Sequence, residues 1–282
     1  MMTAEEMLRE MVQEKLFSRY GNETDIQIRL EWELKHCTPE LAEHFVDAVL
    51  LAKKLKAYNT SCSLDLGAPA LLVSYLLGLT AANPLPAHYC CPVCHRVEWA
   101  GREISGFDLP DKRCTCGTQM LGDGQDLDPE FYTGSSVNSL EFHLQIRQWE
   151  WEPWWPFKQV AELKTQEPYP WNKLPATVQI KLLGAQHCSW NRNDWLTDFL
   201  IKNFQGVFVF REEVYRYFMR ECGLPPRKAF QYAEQVRNGQ GSKIPWETFI
   251  SPSWMRRYCN AVTYLPSKAV MAERFVRDQI SS

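Results

Sequence analysis

The stretch from His88 to Gly117 constrains this chain more than any other. It reads His88-Tyr89-Cys90-Cys91-Pro92-Val93-Cys94-His95 and, after a short insert, Cys114-Thr115-Cys116-Gly117. Two residues between Cys91 and Cys94 let one turn aim both sulfurs and the local backbone amides at a single ion. Cys114 and Cys116 form a second pair, tighter by one residue. Four thiolates make a closed tetrahedral zinc site with no open position, so the Zn²⁺ is expected to be structural and not catalytic. Cys90, His88 or His95 could stand in if Cys114 does not reach. A set of unligated buried cysteines is the alternative to any metal.

The chain has 282 residues and a net charge of −3, so it lacks the global basic signature of a nucleic-acid binder. Any such contact has to come from local patches. Ten cysteines, read without a signal peptide, point to the reducing cytoplasm and to metal ligation instead of a disulfide framework. The longest apolar run, residues 68–82, is interrupted and too short to span a bilayer, so no membrane partner is expected.

Helical spacing of Leu8, Met11, Val12 and Leu16 predicts a helix over 4–20, ended by Gly21. A second is expected over 26–36. Thr38-Pro39-Glu40 starts a third, to about Tyr58, with Leu41, Phe45, Val49 and Leu50 inward. Its Lys53, Lys54 and Lys56 read as a solvated face or, less simply, a phosphate site. Residues 59–67 read as a loop and 68–79 as a short buried helix. Segments 107–112 and 122–126 are turn-rich. Alternation of Leu140, Phe142, Leu144 and Ile146 predicts a strand over 137–147. Residues 149–175 are rich in proline and tryptophan and read as a connector, its tryptophans either packing or offering a stacking platform for single-stranded nucleic acid. Helices are then expected over 177–183, 194–203, 212–222, 225–238 and 254–263, with a last one starting at Pro266. The fold class is α+β: helix-rich, with a small sheet and a zinc-binding insert at about 88–120, followed by an all-α part.

The residues also spell a family resemblance. Asn83-Pro84-Leu85-Pro86-Ala87-His88-Tyr89, then Cys91-Pro92 and Cys94, then Gly106-Phe107-Asp108-Leu109-Pro110-Asp111-Lys112, Cys114, Cys116-Gly117-Thr118 and Asp123-Gly124 resemble the palm region of bacterial DNA polymerase III alpha chains of the PolC type. The family carries a four-cysteine zinc site there, with both pairs spaced C-x-x-C. The resemblance resumes at Gly184-Ala185-Gln186-His187, at Glu234-Gln235-Val236-Arg237-Asn238-Gly239-Gln240-Gly241 and at Tyr264-Leu265-Pro266-Ser267-Lys268-Ala269 in the family's fingers. It implies a palm-like region over 1–148, a connector over 149–174 and a helical fingers-like region over 175–282. It also implies DNA or replication proteins as partners, with Arg237 and Lys268 as nucleic-acid-binding candidates.

The family's catalytic residues are altered where the sequences match. Its palm carboxylates, written Pro-Asp-Ile-Asp-Leu, hold two Mg²⁺ ions. Here the matching residues are Ser139 and Glu141, a hydroxyl and a carboxylate on a longer stem. Its phosphate loop, Gly-Ser-Arg-Gly-Ser, falls on Ser63 to Gly67, with Asp65 where the arginine stands. That reverses a charge facing a triphosphate. The resemblance therefore implies a polymerase-derived, non-catalytic protein. Two other readings stay open: a minimal nucleotidyltransferase using Glu141 with Asp123, Asp126 or Asp128, and a structural protein-interaction module.

Overall fold

The computed structural model describes residues 2–56, 61–64, 68–129, 131, 144–147, 174–187, 208–249, 253–262 and 265–281. The chain divides into two compact units, Met1–Trp151 with Ala272–Ser282, and Glu152–Met271.

The first unit opens with α1, Ala4–Tyr20. Thr3 Oγ1 accepts from the Glu6 amide at 3.2 Å and Glu6 accepts from the Thr3 amide at 2.8 Å, a reciprocal cap that satisfies two donors the helix leaves open. Leu8, Val12, Leu16 and Tyr20 recur every fourth residue and are buried. Gly21 stops the helix at φ 58°, where a side chain is strained, and returns its N–H to Phe17 O at 2.9 Å. Helix α2 is Thr24–Lys35 and α3 is Pro39–Lys56, the latter capped by Thr38 Oγ1 at 3.2 Å from the Leu41 amide. Leu41, Phe45 and Val49 face the core. Leu50, expected beside them, is 50% exposed, because one further residue rotates it about 100° past the buried stripe.

Two expectations over residues 59–79 are corrected. Residues 61–64, read as loop, form strand β1 (Ser61–Leu64). Its sequence Ser-Cys-Ser-Leu has too little alternation to announce a strand, and its partner lies far along the chain. The single helix expected over 68–79 is a 3₁₀ turn, Ala68–Ala70, followed by the short α4, Leu72–Leu76. Leu71 between them is extended at φ −97°, ψ 131°.

Two ion pairs on other helices hold this broken segment at its ends. Glu33 is buried in α2 and accepts from the amides of Leu72 at 2.9 Å and Val73 at 3.0 Å. Arg29, one turn earlier, bonds Glu33 at 2.6 Å and the Ala70 carbonyl at 3.0 Å. The far end repeats the device. Glu273 accepts from the amides of Ala81 at 2.8 Å and Ala82 at 2.7 Å, while Arg277 bonds Glu273 at 2.5 Å and the Leu79 carbonyl at 3.2 Å. A carboxylate that takes two N–H bonds and a guanidinium is satisfied in a site too dry to hold it otherwise.

Strands β2 (Ala87–Cys90), β3 (Val97–Gly101) and β4 (Leu121–Asp123) follow, so the turn-rich reading of 122–126 is corrected at its start. They form an antiparallel sheet in the order β3-β2-β4. Strand β5 (Leu144–Arg147) is the described part of the strand expected over 137–147 and pairs antiparallel with β1, Ser61 opposite Arg147 and Leu64 opposite Leu144. Residues 57–60, 65–67, 132–143 and 148–173 lie outside the described residues, and with them Asp65, Ser139, Glu141 and the tryptophan-rich connector; so does the helix expected over 194–203.

Among its described residues the second unit has helices and no strand: α5 (Ala176–His187), α6 (Arg211–Arg220), α7 (Pro226–Arg237), α8 (Ser253–Ala261) and the start of α9 (Lys268–Ser281). From Ala272 onward α9 counts with the first unit. Its core is aromatic: the Phe218 ring lies 5.4 Å from Tyr232, 5.8 Å from Trp246 and 5.9 Å from Phe249. Glu212 is buried on α6 and accepts from the Lys268 amide at 2.8 Å and the Ser267 hydroxyl at 3.1 Å, capping α9. Burial pushes its carboxyl up to about 7, against the opposing pull of these donors and Arg216. The fold is α+β and helix-rich. Among the described residues no helix is long and apolar enough to cross a membrane.

Two outcomes are expected. Glu33→Ala leaves Arg29 and two amides without their partner in a dry site, and should cost about 3–5 kcal/mol in urea unfolding followed by circular dichroism, with Glu33→Gln costing less. Glu212 binds its proton more tightly folded than unfolded, so its contribution is complete below its ordinary value of 4.5 and is lost as pH rises towards about 7. Wild-type stability should therefore fall over that window by an amount on the order of 2–3 kcal/mol relative to Glu212→Gln.

Candidate metal centre

The three-stranded sheet carries two tight turns that face each other. Strand β2 runs into the first at Cys91. The Cys91 amide donates to Arg96 O at 2.9 Å and the His95 amide to Cys91 O at 3.0 Å, with His95 at φ 60° completing the reversal. The Cys94 amide points at the Cys91 sulfur, 3.5 Å away. In the second turn the Cys114 amide donates to Thr118 O at 2.8 Å and the Gly117 amide to Cys114 O at 2.9 Å. Arg113 and Gln119 bridge below it, and Met120 then leads into β4.

The result is a cluster of four sulfurs. Cys91 Sγ lies 3.5 Å from Cys116 Sγ, and Cys94 Sγ lies 3.5 Å from Cys114 Sγ. The ligand atoms of all four lie within 4.8 Å of one another. Sulfurs placed tetrahedrally at about 2.3 Å from zinc are about 3.8 Å apart, so this donor set fits the ion in number, chemistry and spacing. The C-x-C half reaches without help from its neighbours. Cys90 instead directs its sulfur to Arg19 O at 3.2 Å, and His95 Nδ1 lies 3.2 Å from the same carbonyl. His88 is fully buried, its Nδ1–H donating to Pro86 O at 2.8 Å. Burial lowers its pKa, so the ring stays neutral.

Four thiols this close cannot all ionise without a cation. The Thr118 hydroxyl and amide push Cys116 down to about 6. For Cys94 the Arg96 amide favours the thiolate, but Cys114 and Cys91 push the group up to about 12. A dication removes this conflict, because each sulfur then faces positive charge. Around the cluster, Tyr89, Cys91, Cys114 and Met120 form a small core of their own. Arg96 bonds the Thr115 hydroxyl at 3.1 Å, joining the two turns directly.

Asp123, at the end of β4, ties this sheet to the helices. Its Oδ2 accepts from Arg19 at 2.7 Å, the Tyr75 hydroxyl at 2.8 Å and Asn83 Nδ2 at 2.7 Å, and Asn83 reaches the Tyr20 hydroxyl at 2.8 Å. Gly106 permits the approach of the insert: a Cβ there would sit 2.1 Å from the Asp123 carbonyl. The sequence marked Asp123 as a turn residue, a spare acid and part of the family resemblance, and not as a tie between sheet and helices. Asp126 also has a structural partner, accepting from the Glu103 amide at 2.9 Å.

The remaining predicted residues lie elsewhere. Arg237 bonds Glu234 at 2.8 Å, and Glu234 also takes Arg211 at 3.3 Å. The Lys268 amide is the one Glu212 caps. Both residues belong to the second unit, as does Gly184, where the Phe210 ring approaches to 2.4 Å of where a Cβ would stand.

No protein-family model matches the chain. Curated proteins named DNA polymerase III PolC-type, from Streptococcus thermophilus, Streptococcus suis and Bacillus subtilis, are each 36% identical to it over 140 residues, 46% of this chain. The chain spans 9% of the length of the Streptococcus proteins and 10% of that from Bacillus subtilis. Over nearly half of its length, the chain is related to the PolC-type DNA polymerases III.

Proposed function

We propose that this chain is a zinc-stabilised, PolC-related module that has lost polymerase activity and binds DNA or a replication partner in the cytoplasm. The four-sulfur cluster carries the reading, since it supplies a complete donor set where the resemblance expects the family's zinc. Zinc would balance the thiolate charge and pin the two turns together, and leaves no position for substrate. Residues 1–148 would be the palm-like part and 175–282 the fingers-like part, with Arg237 and Lys268 nearest to any DNA backbone.

The loss of catalysis rests on the residues at the family's active positions. Ser139 offers a neutral hydroxyl where a carboxylate should bridge two ions, and Asp65 places a negative charge where a triphosphate needs a donor. The partners of Asp123 and Asp126 support the same reading, because both acids are already engaged by the protein's own donors. A substitute for the missing metal ligand would have to break those bonds.

Metal analysis of purified protein should give about one zinc per chain, and Cys91→Ser should lose both the metal and much of the fold, since structural zinc can contribute on the order of 10 kcal/mol. A metal-free, fully folded protein would sink the zinc assignment. Primer extension with Mg²⁺ or Mn²⁺ should stay at background. Incorporation that disappears in Glu141→Ala would overturn the non-catalytic reading and favour the minimal polymerase. A DNA mobility shift that weakens as salt rises supports phosphate contacts, whereas no shift at low salt leaves a protein partner as the target.

A further inference from the structure

Each turn of the cluster contributes one buried and one exposed cysteine: Cys91 and Cys114 are buried, Cys94 and Cys116 exposed. The 3.5 Å approaches run between the turns, Cys91 to Cys116 and Cys94 to Cys114, so each joins an exposed sulfur to a buried one. We infer that the cluster is a thiol–disulfide switch, in which a peroxide oxidises it to two bonds between the turns, Cys91–Cys116 and Cys94–Cys114, and discharges the metal. The inference rests on the zinc assignment above for the metal and on the sulfur geometry for the pairing.

The step balances. An exposed thiolate attacks one peroxide oxygen, the O–O bond breaks, and the sulfur becomes a sulfenic acid while the departing hydroxide takes a proton and leaves as water. The buried thiolate of the opposite turn attacks that sulfur, forming the S–S bond, and the sulfenic oxygen leaves as a second water after taking a proton. For the whole cluster, four thiolates, two peroxides and four protons give two disulfides and four waters. The sulfurs lose four electrons and the peroxides gain them. With its four donors consumed, the ion has no site.

The geometry selects this pairing. Each pair has to close from 3.5 Å to a bond of about 2.05 Å, a movement two side chains can share. A Cys114–Cys116 bond would close a ring over a single residue and break the turn that the Gly117 and Cys114 amides hold. The Cys91–Cys94 alternative would strand Cys114 and Cys116 with only each other. Bonds between the turns replace the ion as the tie, and the Arg96 side chain already reaches from one turn to the Thr115 hydroxyl of the other.

The test uses the full chain titrated with hydrogen peroxide, with released zinc read by a metallochromic dye and disulfides mapped by mass spectrometry without reduction. About one zinc per chain should be released, with Cys91–Cys116 and Cys94–Cys114 peptides as the products and recovery on adding dithiothreitol and zinc. Bonds within a turn, sulfinic acid products, or no reaction at peroxide levels that oxidise a free thiol each overturn the switch. If the reduced protein carries no zinc, the metal assignment fails, and mapping of that same protein still decides the pairing.

Discussion

Three separate elements converge on the Asp123 carboxylate, and the rest of the first unit depends on that meeting. Its side chain is 15% exposed, and helix α1 sends Arg19, α4 sends Tyr75 and the stretch before β2 sends Asn83. Remove the carboxylate and these donors are left facing one another without their common acceptor. The sheet that bears the sulfur cluster is thereby fixed to the helical core from its inner end. At its outer end it is fixed by the Arg19 carbonyl, which lies within 3.2 Å of both Cys90 Sγ and His95 Nδ1. The same residue of α1 thus serves both attachments, one through its side chain and one through its backbone.

Buried glutamates repeat this logic. Glu33, Glu212 and Glu273 each sit on one helix and bond the backbone amides of another segment. In two of the three cases an arginine four residues away bonds both the glutamate and a nearby carbonyl, so donors and acceptors of an irregular stretch are satisfied together. The device satisfies the backbone groups that the short α4 and its flanks leave open at their ends. Such charged clamps confer definition more than net stability, since taking the ions out of water offsets much of their attraction.

Local chemistry made part of this legible in the sequence. The C-x-x-C and C-x-C spacings identified the cluster because metal ligation depends on short-range turns. Thr38-Pro39 and Gly21 announced helix ends for the same reason. What escaped is set by distance. Ser61–Leu64 becomes a strand only through a partner some eighty residues on, as the pairing of Leu64 with Leu144 requires. Glu33 and Glu273 look like any surface glutamate on an amphipathic helix, and only the fold turns them inward. Leu50 was misjudged by one position of rotation. Asp123 gave no signal of its tying role, because its three partners come from sites up to 104 residues away.

The Glu273 clamp has a consequence for how the chain is made. It reaches back 192 residues to the Ala81 amide, within a unit whose remaining sequence ends at Trp151. A ribosome delivers the sulfur cluster, the sheet and the first four helices long before it delivers Glu273 and Arg277. During that interval the amides of Ala81 and Ala82 have no carboxylate to meet them, and the second unit is synthesised in between. The first unit is therefore born early and finished late, with its last support arriving only as synthesis nears residue 277.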